Sequence, residues 1–131
     1  MATATLNATS SFQSLTVNDL TKSLHFYVDG LGFEIVDRNE VAGVLRFAML
    51  KSGGVTLGIG QDDFAKGRDR AKGVGARLWI RTGEDLAALA ARARAAGLTL
   101  DADPAPLPWG PMAFALTDPD GFLLTIVHDA A

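Results

Sequence analysis

Between residues 11 and 33 the apolar side chains first alternate and then change to a helical spacing. In "SFQSLTV", Leu15 and Val17 fall on one face of an extended strand, with Phe12, Ser14 and Thr16 on the other. From Leu20 onward, Leu20, Leu24, Tyr27, Val28 and Leu31 stand at i, i+4, i+7, i+8 and i+11. That spacing predicts a helix capped by Asp19 and closed by Gly32. Three strands are expected after it: "FEIVDRN" from Phe33, "VLRFAML" from Val44 and "VTLGIG" from Val55, the last two joined through the turn "KSGG".

The second half repeats this order. "RLWIRT", residues 77–82, runs into "GEDLAALAARARAAG", where Leu86, Leu89, Ala90 and Ala93 form a buried stripe. Glu84 and Asp85 suit the positive end of this helix, Arg92 and Arg94 its negative end, and Gly97 its close. A short strand near Leu98 to Asp101, a proline-rich loop "DADPAPLPWGP", and the strands "MAFALT" and "FLLTIVH" across the turn "DPDG" complete the pattern. Asp19-Leu20 and Asp85-Leu86 occupy matching places, so a strand, helix, three-strand unit is duplicated. The expected division is one domain over 1–131, with module one at about 11–60, a linker at 61–74 and module two at about 75–129. The linker region, "QDDFAKGRDRAKGVG", is charged and glycine-rich and reads as a hinge or mobile flap with Phe64 as its buried anchor.

Composition narrows the function classes. A chain of 131 residues, 48% hydrophobic and 21% charged, is large enough for one globular core without covalent staples. With no cysteine it has no disulfide framework, thiolate metal site, iron–sulfur cluster or cysteine nucleophile. A formal net charge of -3 with no long run of Lys or Arg argues against nucleic acid as a partner. No apolar run approaches the roughly 20 residues of a membrane span. The polar start "MATATLNATSS" lacks a basic and an apolar leader region, so the expected location is cytoplasmic.

Three segments carry a family resemblance: "VNDLTKSLHFYVDGLGF" at 17–33, the second helix ending in "ARARAAG", and "PWGPMAFALTDPDGFLLTIV" at 108–127. In that order and spacing they resemble the vicinal oxygen chelate superfamily, the glyoxalase, bleomycin resistance protein and dioxygenase group. The fold implied is α+β, with two tandem βαβββ modules forming a curled mixed sheet with an open cup and the helices outside. Aligning Phe12 with Arg77 puts Arg77, Trp79 and Arg81 on the cup face, Leu78 and Ile80 toward the second helix, and Thr125 on the cup face of the last strand. A slip of one residue would exchange Phe12 for Gln13.

In metal-dependent relatives, the resemblance implies ligands from four strands: the start of the first, the fourth, the opening of the fifth, and a Glu four residues beyond the "DPDG" turn. Here those places hold Phe12, a residue of "LGIG", Arg77 and Thr125. Divalent transition metals take imidazole or carboxylate donors, and neither His25 nor His128 occupies such a place. The expectation is therefore no metal and no cofactor. The chain then reads as a binding protein of the bleomycin resistance type that sequesters an aromatic or conjugated drug or natural product, with antibiotic resistance as its role. Phe12, Ser14, Thr16, Arg77, Trp79, Trp109 and Thr125 are the candidate ligand-binding residues. The resemblance also implies a homodimer.

Other readings compete with this one. Phe12 and Trp79 can fill the cup as core, and Trp109 can plug the proline loop. The alternative function is a glyoxalase- or dioxygenase-type lyase, isomerase or oxygenase acting on a small metabolite. It needs either metal donors or a general acid or base in the cup, and Ser14, Thr16 and Thr125 have no evident activating base. Arg77 alone is a weak oxyanion stabiliser. A third reading, a structural module without a ligand, requires a cup closed by side chains.

Overall fold

The computed structural model describes residues 4–129, so the first three residues of the polar start lie outside it. The first module runs β1 (Gln13–Val17), α1 (Leu20–Leu24, continued by a π-helical turn His25–Gly30), β2 (Glu34–Val41), β3 (Val44–Ser52) and β4 (Val55–Gln61). The second runs β5 (Arg77–Thr82), α2 (Leu86–Ala95), β6 (Leu100–Pro106), β7 (Met112–Thr117) and β8 (Leu123–His128). Each module forms an open four-stranded mixed sheet, in the orders β1-β4-β3-β2 and β5-β8-β7-β6. In both, the first strand lies parallel to the last, and the remaining pairs are antiparallel. This is the expected tandem βαβββ arrangement.

Strand alternation decides what faces the helices. Leu15 and Val17 are buried, as are Ala48, Leu50, Leu57 and Ile59 on the neighbouring strands. Phe12, Ser14 and Thr16 are exposed on the opposite face, so Phe12 rather than Gln13 takes the open side. In module two, Phe114, Leu116, Leu124 and Ile126 are buried together with Leu86 and Ala93 of α2. Arg77, Trp79 and Arg81 stay on the exposed face. The duplication extends to the backbone: Asp62 N–H donates to Val17 O and Asp129 N–H to Thr82 O, both at 2.8 Å. Asp19 and Asp85 cap their helices as expected, accepting from the amides of Lys22 and Ala87.

Three features differ from the sequence pattern. The first helix does not run as a regular α-helix to Leu31; it widens after Leu24, and Phe26 joins Tyr27 in the core. Gly30 then passes so close to module two that a Cβ on it would lie 2.2 Å from Leu98 Cδ1. The strand expected near Leu98 begins at Leu100 and continues to Pro106, absorbing half of the proline-rich loop. As the outermost strand of its sheet, β6 accepts Pro104 and Pro106, because an edge position does not require every N–H for the ladder.

The segment 62–76 is held through Asp62, and Phe64 is not its buried anchor. Asp62 is buried and accepts from Arg70 Nη2 (3.0 Å), Lys72 Nζ (2.9 Å) and the Phe64 amide (3.0 Å). Phe64 is only half-buried, with φ of 61° and the Arg68 guanidinium 4.2 Å above its ring. Burying a carboxylate demands paired charge, and the linker's basic residues supply it.

The modules meet on their helical side. Buried Tyr27 donates to Asp118 Oδ2 at 2.8 Å, and Asp120 accepts from the Asn18 amide at 2.8 Å. His25 reaches Asp29 Oδ2 (2.8 Å) and the carbonyl of Ala96 at the end of α2 (2.7 Å). Among the described residues no helix is long and apolar enough to cross a membrane.

Candidate functional site

A cavity lies on the open face of module two. Trp79 on β5 stands beside Thr125 of β8, and Arg81 beside Val127. On β7 the matching positions are Ala115 and Ala113, whose small side chains leave room above the sheet. The loop 107–111 closes through the Leu107 amide on Pro111 O (2.8 Å) and the Gly110 amide on Leu107 O (2.9 Å). Gly110 adopts φ of 121°, a backbone region that glycine enters freely, and the turn carries Trp109 to the sheet. The two indole centroids are 6.1 Å apart with planes inclined by 49°. Around them is a cavity of about 600 Å³ whose lining includes the apolar Leu107, Pro111 and Val127 and the polar Arg81, His128 and Asp129.

Exposure distinguishes recognition from packing here. Trp79 is 53% exposed and Trp109 67%, so neither indole fills the core or plugs the proline loop within this chain. Large aromatic surfaces left in water beside an open cavity are the kind of surface a ligand would cover.

Arg77 and Thr125 form a second group. Arg77 Nη1 donates to Thr125 Oγ1 at 2.9 Å, and Arg77 borders a crevice of about 280 Å³ between β5 and the start of β4. Trp79 borders this crevice as well as the larger cavity. Ser14 and Arg77 both border another crevice of about 300 Å³, alongside Phe122 and Leu123. Among the described residues no carboxylate forms an ion pair with Arg77 or Arg81.

Phe12 and Thr16 sit elsewhere, on the open face of module one. Ser14 lies opposite Gly58 and Thr16 opposite Gly60, while Phe47 on β3 lies opposite Gly60. A Cβ on Gly58 would be 2.8 Å from Phe47 Cζ and 3.6 Å from Phe12 Cε2, so both rings rest on a floor that a side chain would occupy. The structure thus joins Trp79 with Trp109 and Arg77 with Thr125, and places Ser14 on a crevice that Arg77 also borders. It leaves Phe12, Thr16 and Phe47 as a separate aromatic face. The sequence pattern did not point to Phe47, Leu107, Pro111 or Val127, and it weighed His128 only as a metal ligand. Of these, Val127 was within reach, because it shares the face of Thr125 two residues along the strand.

The places that hold metal in dependent relatives do not fit one here. They carry a phenyl ring (Phe12), strand β4 with Gly58 and Gly60 on its open face, a guanidinium (Arg77), and a hydroxyl that already accepts a hydrogen bond (Thr125). Among the described residues there is no group of three or more His, Cys, Asp or Glu able to hold an ion. Such a set cannot supply the converging imidazole and carboxylate donors a divalent metal takes.

The groups with displaced pKa values lie away from the cavity. Burial, then the neighbouring Asp118, pushes the Tyr27 phenol far above its usual value, and burial raises the Asp118 carboxyl as well. Both belong to the joint between modules. The hydrogen bonds to Ala96 O and Asp29 raise His25, which lies on the exterior of the first helix. Asp62 is held well below the carboxylate range, first by Lys72, and serves the linker.

The profile of the Glyoxalase/Bleomycin resistance protein/Dioxygenase superfamily matches residues 6–126. No curated protein matches the sequence. Among solved structures, TioX from Micromonospora sp. ML1 shares the fold with a TM-score of 0.73 at 21% identity, over 91% of this chain and 98% of that one. A glyoxalase-related enzyme from Fulvimarina pelagi aligns with a TM-score of 0.72 at 22% identity, over 93% of this chain and 89% of its own. A superfamily member from Sphaerobacter thermophilus gives 0.69 at 27% identity, over 92% and 98%. The matched profile spans both modules, and the duplicated sheets repeat its architecture in three dimensions: this chain belongs to the glyoxalase/bleomycin resistance protein/dioxygenase superfamily.

Proposed function

We propose that the protein binds and sequesters an aromatic or conjugated small molecule, in the manner of the metal-free bleomycin resistance type, without changing it chemically. One observation carries this reading: two tilted, half-exposed or more exposed indoles, Trp79 and Trp109, flank a cavity of about 600 Å³. A planar guest covering both rings would remove apolar area from water at roughly 25 cal/mol per Å² and add the preference of aromatic faces for offset or edge contact. The supporting observation is the donor set described above, which suits a guest better than an ion.

The protein would work as a homodimer. Strands β2 and β6 are edge strands of their sheets, as are β1 and β5, and Val36, Val41 and Val44 lie exposed along the β2–β3 hairpin, a surface that a second copy would cover.

The test is a screen of polycyclic aromatic antibiotics and metabolites by tryptophan fluorescence, with the compound recovered and analysed afterwards. Saturable quenching by a compound recovered intact, weakened at least about tenfold in Trp79→Ala, is the expected result. Turnover that depends on added iron, nickel or manganese would defeat the reading.

A further inference from the structure

The chemistry around the two indoles goes beyond an appetite for flat rings. On β5 the open face reads Arg77, Trp79, Arg81, with roughly 6.6 Å of strand between successive members. A cation therefore stands on each side of the aromatic platform. Among the described residues no carboxylate forms an ion pair with either guanidinium, and Arg77 donates to the neutral hydroxyl of Thr125. Among the described residues the cation–ring contact is that of Arg68 over Phe64, and none joins Arg81 to an indole. Arg81 borders the same cavity as Trp79 and Trp109, whereas Arg77 borders the crevice behind Trp79.

We infer that the site takes a planar aromatic acid: the ring lies against Trp79 and Trp109, and its carboxylate meets Arg81. This rests on the aromatic-binding reading above and adds the sign and position of the charge. Guanidinium and carboxylate match in shape and pair through two parallel N–H donors, and partial removal from water beside the indoles strengthens the pairing. Asp129 borders the same cavity and engages in an interaction of its own. Its charge repels any acidic group placed beside it, which leaves Arg81 as the point that holds the guest's carboxylate. Arg77, on the far side of Trp79, contributes positive potential rather than direct contact.

The test uses the full chain labelled with 15N, which has two indole N–H signals, one for each tryptophan. Three probes of one ring system are titrated at neutral pH: 2-naphthoate, 2-naphthalenemethanol and 2-naphthylmethylammonium. The expected result is movement of both indole signals, with 2-naphthoate binding at least about fivefold tighter than the neutral alcohol and the ammonium weakest. Arg81→Gln should bring the naphthoate affinity down to that of the alcohol in the same variant, and Arg77→Gln should cause a smaller loss. Added salt should weaken the naphthoate alone. Equal binding of all three probes, tighter binding of the ammonium, or an unchanged preference in Arg81→Gln would overturn the inference while leaving aromatic binding intact. If no probe moves either indole signal in the folded protein, the aromatic-binding reading fails as well.

Discussion

Replacing Tyr27 by phenylalanine removes one oxygen atom and with it a buried tie between the two modules. The Tyr27 hydroxyl donates to Asp118 Oδ2 at 2.8 Å, and its ring is fully buried, edge-on to Phe26 at 4.9 Å and to Phe33 at 6.0 Å between centroids. A phenylalanine keeps those ring contacts, so the cost comes almost wholly from the carboxylate oxygen left without its donor. Loss of a partner to a buried polar group costs about 1–3 kcal/mol. Asp118 Oδ1 still accepts from the amides of Asp120 and Phe122, both at 2.9 Å, which limits the damage to the middle of that range, about 2 kcal/mol. At about 2.1 cal/mol/K of unfolding entropy per residue, a chain of 131 residues loses roughly 7 °C in Tm for that amount. The effect also depends on pH. The Tyr27 hydrogen bond favours the ionised form of Asp118 while burial opposes it, so the gap between wild type and variant should narrow as acid protonates Asp118. Urea unfolding at neutral and acid pH, with Asp118→Asn and the double variant completing a cycle, measures both effects. A loss below about 0.5 kcal/mol with the fold intact, or a coupling energy near zero, would refute the role given to this bond.

Two further outcomes concern the linker and the helix joint. In Asp62→Asn, the segment 62–76 should exchange amide hydrogens faster at neutral pH and become a site of trypsin cleavage, because Lys72 and Arg70 lose their buried counter-charge. Since the folded state holds Asp62 below its ordinary value of 3.8, the stability it contributes is present above that pH and lost as the pH falls through the lower folded value. Wild-type exchange in the linker should therefore accelerate only in strong acid; acceleration beginning near neutrality would contradict the assignment. The His25 pKa is raised above 6.5, so its contribution is complete below that pH and disappears as the pH rises through the higher folded value. His25→Ala should remove that part of the pH dependence of Tm, and an unchanged profile would show that the Ala96 and Asp29 contacts carry no weight.

Most of the architecture was legible along the chain. The change from period two to a helical spacing at Leu20, and its recurrence at Leu86, locates both helices, and the capping aspartates Asp19 and Asp85 sit where the amides need acceptors. The open face of β5 was equally readable, because alternation forces Arg77, Trp79 and Arg81 to one side once Leu78 and Ile80 turn to the helix. The extent of β6 was not. Its prolines signal a loop locally, and only an edge position in a sheet makes Pro104 and Pro106 tolerable within a strand.

The sequence by itself determined the duplicated modules and the faces of their strands, since both follow from neighbours a few residues apart. Tertiary structure alone decided that Trp109 meets Trp79, that Arg77 engages Thr125 while Phe12 and Phe47 both lie over Gly58 on another face, and that Asp62 gathers the linker's cations. Those meetings depend on how loops close and on how two sheets sit against one another. Periodicity reports the direction a side chain takes from its own backbone, and carries no information about what arrives from elsewhere in the chain to meet it.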